Sequence, residues 1–83
     1  MSINVIKKQR DGIHNDLMQA AATLLPLKAQ QGEEAYKTEV VKAMTDYATT
    51  LKNGNEYQAF CQTWGLDREE FIGNILAKAI GSI

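Results

Sequence analysis

Apolar residues in this chain recur at three and four rather than at two, which is the spacing of helix faces and not of strands. Ile3, Ile6, Ile13, Leu17, Ala20, Leu24 and Leu27 follow that spacing, with Arg10 in the one remaining slot. They predict a first helix over about 2–25, widened on its apolar side by Met18, Ala21 and Leu25. Gly12 costs about 1 kcal/mol relative to alanine inside a helix. It therefore offers a break that would leave 1–11 as a separate N-terminal arm and a main helix from Ile13 on. Pro26 disfavours helical geometry at Leu25 and marks a stop or a kink.

Leu27–Gly32 reads as a linker. A second helix is predicted over 33–52, with Tyr36, Val40, Met44, Tyr47 and Leu51 on one face and Val41 and Ala48 beside them. Glu33 and Glu34 suit the positive end of the helix dipole, and Glu33 to Lys37 is a favourable i,i+4 pair. Asn53-Gly54 is expected to end this helix with a left-handed glycine. The third helix, 56–64, is expected to be capped by Asn55 with Gln58 as capping-box partner. It carries Tyr57, Phe60, Cys61 and Trp64 at i, i+3, i+4 and i+7. Gly65 closes it. Asp67 caps a fourth helix over 67–81, with Glu70 three residues on and Phe71, Ile72, Ile75, Leu76, Ala79 and Ile80 as its apolar set. Four amphipathic segments on short connections predict an all-α four-helix bundle, read as one domain over 1–83.

The chain has 83 residues, is 45% hydrophobic and 23% charged, and carries a net charge of −1, a composition that fits a globular domain rather than a disordered segment. A domain of this size buries only about 60% of the surface its unfolded chain exposes, so a second copy or a partner is the natural cover for what is left. A single cysteine, Cys61, allows no internal disulfide and no multi-cysteine zinc site. It points to a reducing compartment, most simply the cytoplasm. No stretch reaches the roughly 18 apolar residues of a membrane span. The start of the chain also fits a signal peptide poorly, because Asp11, His14, Asn15 and Asp16 follow the basic residues where an apolar run belongs.

Candidate chemistry is sparse. The third and fourth helices loosely match a helix-turn-helix through Cys61, Gly65 and Phe71, but Asn74 sits in an apolar slot of that pattern. The would-be recognition helix also opens on Asp67, Glu69 and Glu70, the wrong sign for phosphates. Lys7, Lys8 and Arg10 form a small basic cluster able to meet an acidic partner or nucleic acid. Arg10 interrupts the apolar face: it either lays its stem over the core side with the guanidinium in water, or leaves the bundle with the arm. His14 and Asp11 make only half a metal site. Cys61 lies in an apolar stripe, where an inert thiol is expected, and no phosphate loop or hydrolase motif occurs. Trp64, ending a short helix beside a glycine, is placed to be a half-buried interface anchor.

The sequence thus predicts a non-enzyme without cofactor or metal: a small regulatory adaptor, inhibitor or assembly factor that binds another protein or itself, as a homodimer. Its candidate partner-binding residues are Lys7, Lys8, Arg10, His14 and Trp64. The alternative is a nucleic-acid-associated regulator using the basic arm.

Overall fold

The structure, a computed structural model, describes residues 2–83. Side chains are described from Asn4 onward, so the side chain of Ile3, the first of the apolar stripe, lies outside what is described. Within these bounds the chain is all-α, a small helical bundle with no strand. Four principal helices, α1 (Ser2–Thr23), α3 (Glu33–Lys52), α4 (Asn55–Trp64) and α5 (Arg68–Gly81), are joined by short connections, and a seven-residue helix, α2 (Leu25–Gln31), follows α1.

α1 runs through Gly12 without interruption. It stops at Thr23, two residues earlier than the periodicity predicts. The segment 27–32, read as a linker, is instead helical as far as Gln31. Pro26 explains both differences. A proline cannot sit inside a helix without removing a hydrogen bond and clashing with the preceding turn, but it is well placed in a first turn, where its missing N–H has no partner anyway. Pro26 thus ends one helix by opening the next. α2 buries none of its own residues. It lies along the start of α3, with the Lys28 ammonium 5.6 Å from the centre of the Tyr36 ring, a favourable cation–π placement.

α3 runs antiparallel to α1. The Tyr36 hydroxyl donates to the Ala21 carbonyl (3.2 Å), and the Tyr47 hydroxyl, further along α3, donates to Asp16 Oδ2 (2.6 Å), further back along α1. Its buried stripe is Tyr36, Val40, Met44 and Ala48, a strict i+4 series. Tyr47, expected on the core face, is 36% exposed, and Ala48 holds that place. A large ring one residue off the contact line is better accommodated at the edge, where its hydroxyl reaches a carboxylate.

The connection from α3 to α4 differs in mechanism from the sequence reading. Gly54 is extended (φ −78°, ψ 145°), not left-handed. A Cβ there would stand 3.2 Å from the Leu51 carbonyl oxygen, so closeness rather than backbone sign favours glycine. Gly54, not Asn55, occupies the cap position of α4. Gln58 reaches back to the Lys52 carbonyl (3.4 Å) at the end of α3 instead of closing a capping box. After α4 the expectations are met. Gly65 is left-handed (φ 66°), as a helix-terminating glycine should be, and the Asp67 carboxylate accepts from the Glu70 N–H at 3.0 Å to start α5.

α5 packs on both α1 and α3. The core is Ile13, Leu17 and Ala21 of α1, the α3 stripe, Tyr57 and Cys61 of α4, and Ile72, Ile75 and Ala79 of α5. Tyr57 is sealed by burial, its hydroxyl donating to the Arg68 carbonyl at 2.6 Å. Burial, reinforced by the neighbouring Cys61, pushes its phenol well above the ordinary range.

Candidate functional site

Upstream of Ile13, α1 contributes no buried residue from Asn4 on; only Ile6 and Gln9 are half-buried. This part of the helix nevertheless lies beside α5, and the two leave a cleft of about 530 Å³ between them. Its α1 wall is Lys7, Arg10, Asp11 and His14; its α5 wall is Phe71, Asn74, Ile75 and Lys78. Each set falls at i, i+3, i+4 and i+7, so each helix presents one continuous face over two turns.

The floor is apolar, made by buried Ile75 and half-buried Phe71. Lys7, Arg10, Asp11, Asn74 and Lys78 are exposed around it. Three cations and one carboxylate give the walls a net charge of +2 with His14 neutral, in a chain whose total is −1. Among the described residues the ion pairs are Glu33–Lys37 on α3 (3.7 Å) and Lys52–Glu69 between α3 and α5 (3.0 Å); neither involves a cation of the cleft. Lys7, Arg10 and Lys78 therefore project their charge outward. The His14 ring lies in the α1 wall, with Nε2 sealed from solvent and no hydrogen-bond partner among the described residues, an uncommon condition for a buried polar atom.

Of the candidates from the sequence, Lys7, Arg10 and His14 meet in this cleft. Arg10 interrupts the apolar spacing of a continuous helix, yet its side chain is exposed. Lys8 does not line the cleft; it borders a shallow groove shared with Lys7 and Asp11 and a groove of about 250 Å³ between α1 and α3 with Ile13, Asp16, Tyr47 and Leu51. Trp64 is half-buried and does not line the cleft. It connects to it through a row of rings: Trp64 to Phe60 at 6.4 Å between centroids, and Phe60 to Phe71 at 6.3 Å.

Asn74 and Lys78 escaped the sequence reading. Asn74 registered only as a misfit to the helix-turn-helix pattern. Its place three residues after Phe71, with Lys78 four further on, was the available signal of a mixed polar and apolar face.

Cys61 is fully buried. Among the described residues no three His, Cys, Asp or Glu side chains gather as metal ligands would, and no helix is long and apolar enough to cross a membrane. What the cleft offers is attraction for an anionic surface, a small apolar floor that rewards exclusion of water, and hydrogen bonding from Asn74. In comparisons with known proteins, the chain matches no family model, no curated protein and no solved structure.

Proposed function

We propose that this chain is a non-enzymatic protein-interaction module, an adaptor, inhibitor or assembly factor of the cytoplasm, that engages its partner through the α1/α5 face of the bundle. The observation that carries this reading is the cleft itself, where Lys7, Arg10 and Lys78, in no ion pair among the described residues, surround apolar Phe71 and Ile75. Interfaces combine an apolar centre with a charged rim in this way. Self-association belongs to the same reading, since Val5, Leu25 and Tyr47 are large apolar side chains left 36–51% exposed. Nucleic acid would have to be held by the same few cations. Lys8 faces the other flank of α1, and exposed Asp67, Glu69 and Glu70 open α5 close by. That is a small footprint for a polyanion.

The test is affinity capture from the native cell with the tagged full chain, alongside the double variant Lys7→Glu/Lys78→Glu, coupled to mass measurement of the purified protein over a range of concentrations. The expected result is a protein retained by the wild type and lost by the variant, or a concentration-dependent mass that the variant abolishes. A strict monomer that retains no protein overturns the reading, and a gel shift with duplex DNA at low salt would put nucleic acid in its place.

A further inference from the structure

We infer that the α1/α5 cleft is the receptor for an acidic amphipathic helix of another protein, one that sets an apolar side chain on Phe71 and Ile75 between carboxylates that meet Lys7, Arg10 and Lys78. This rests on the protein-interaction reading above and names the chemistry of the partner.

The shape of the cleft sets the first constraint. Lys7 to His14 and Phe71 to Lys78 each span seven residues, about 10 Å of helix at roughly 1.5 Å per residue. Two helical walls of that length form a groove for a third helix over two turns, with anchors at i, i+3, i+4 and i+7 on the incoming segment. An extended peptide would leave its own backbone donors and acceptors unpaired above an apolar floor, since these walls offer side chains and no free strand edge.

Charge sets the second constraint. Lys7, Arg10 and Lys78 lie on both walls, so carboxylates flanking an apolar anchor on both sides are the complement. Asp11 stands among them and the acidic first turn of α5, with Glu69 and Glu70, adjoins the cleft in sequence. A short peptide can pass between these carboxylates, whereas a continuous phosphate backbone would meet them.

The chain's own surface bears on the choice between a foreign partner and a second copy. In the chain's own acidic turns, Glu33–Glu34 and Asp67–Glu70, one carboxylate each pairs with a lysine of the same chain, as Glu33–Lys37 and Glu69–Lys52. Neither turn carries one of the exposed large apolar side chains, which are Val5, Leu25 and Tyr47. Tyr47 does have carboxylates near it, Asp16 at 2.6 Å and exposed Asp46 next in sequence, so a second copy is kept as an outcome of the test, while charge on both walls favours a more acidic partner than this chain. A contact of two turns is small, at the weak and transient end of interfaces, and its strength should fall as salt rises.

The experiment uses the full chain and fluorescein-labelled peptides. One is a helical peptide with leucine on one face and glutamates flanking it; the other has the same composition with the order permuted to destroy the amphipathic face. A labelled DNA duplex is the third probe. Anisotropy should show saturable binding of the first peptide at low salt and binding of the permuted one weaker by about tenfold or more. Lys7→Glu/Lys78→Glu should lower affinity for the first peptide by at least about tenfold, while Lys8→Glu on the other flank leaves it within about twofold. The urea midpoints of both variants should match the wild type, because these lysines are exposed. Absence of binding to the first peptide, equal binding of the permuted one, or tighter binding of DNA would each overturn the inference. A wild-type dimer dissolved by the double variant would also overturn it, by making a second copy the occupant, yet would leave the protein-interaction reading standing.

Discussion

The two halves of α1 are one helix serving two environments. From Ile13 onward the helix buries Ile13, Leu17 and Ala21, one residue per turn, against the core that Val40 and Met44 of α3 share. From Asn4 to Gly12 it buries nothing completely, and its polar residues Lys7, Arg10 and Asp11 form a wall of the cleft instead. Backbone hydrogen bonding is the same in both halves; what changes at Gly12 is which side-chain chemistry faces α5. The core fixes the direction of the helix, and continuity of the helix carries that direction out to residues the core never touches. The difference teaches that a small bundle can extend a charged face from a buried one by continuity of a single helix, without burying the charges.

The largest test of this division is Leu17→Ala. Leu17 is fully buried, and large-to-small changes at such sites cost about 2–5 kcal/mol. Ile6→Ala, in the half-buried upstream part, should cost no more than about 1 kcal/mol. Urea denaturation of both variants measures the contrast, and equal losses would erase the distinction between the halves.

Next in size is Gly12→Pro, which cuts the helix at the boundary. Proline in a helix interior costs about 3 kcal/mol or more. Here the loss in global stability should lie between about 1 and 3 kcal/mol, because the chain can release the upstream half rather than strain the core. Hydrogen exchange should show amides before Gly12 losing protection while those after Ile13 keep it, and peptide binding to the cleft should vanish. If protection falls equally along the whole of α1, the halves are a single cooperative unit. Gly12→Ala runs the other way. An added Cβ meets nothing within 4 Å, so helix propensity and reduced unfolded-state freedom should raise stability by about 0.5–1 kcal/mol, visible as a higher urea midpoint with unchanged peptide affinity.

How much of this could be read in the sequence follows from which forces are local. The helices at 33–52, 56–64 and 67–81 show in the spacing of their apolar residues, and the structure places each within a residue at either end, because the same stripes that define them are what the core buries. Asp67 and Gly65 were legible because capping and left-handed closure are decided within a few residues. Pro26 was read as a stop or a kink, and its ability to open α2 was missed. The hydrogen bond of Gln58 to Lys52, rather than to its own helix start, depends on how the α3–α4 turn folds back. The cleft was half legible. Lys7, Arg10 and His14 drew notice as a charge cluster and a lone imidazole, but the α5 wall could not be joined to them, since pairing residues 7–14 with 71–78 is a product of packing alone. Tyr47 was misjudged for a related reason: periodicity allows either Tyr47 or Ala48 on the core face, and only the closeness of α1 to α3 selects the alanine.

That exchange leaves Tyr47 at the boundary between core and solvent, where its hydroxyl donates to Asp16 on the downstream half of α1. Partial burial, then the hydrogen bond to Asp16 and the charge of that carboxylate, push its phenol from 10.0 up to about 12. The neutral phenol is the form the fold favours. Its contribution is therefore fully present below about pH 10 and is lost as pH rises through about 12. Because Tyr47 is 36% exposed, solvent screens the pair, and the stability at stake is below about 1 kcal/mol. Subtracting the phenolate absorbance titration of Tyr47→Phe from that of the wild type isolates this residue from Tyr36 and Tyr57. The difference curve should centre well above the ordinary tyrosine range. Asp16→Asn should bring it part of the way down but not to the ordinary value, since burial is the larger cause and survives the substitution. An unshifted curve in the wild type would mean that α1 and α3 stand further apart at this edge than the 2.6 Å hydrogen bond requires. The downstream half of α1 would then be held to α3 by its buried residues and the Tyr36 to Ala21 hydrogen bond.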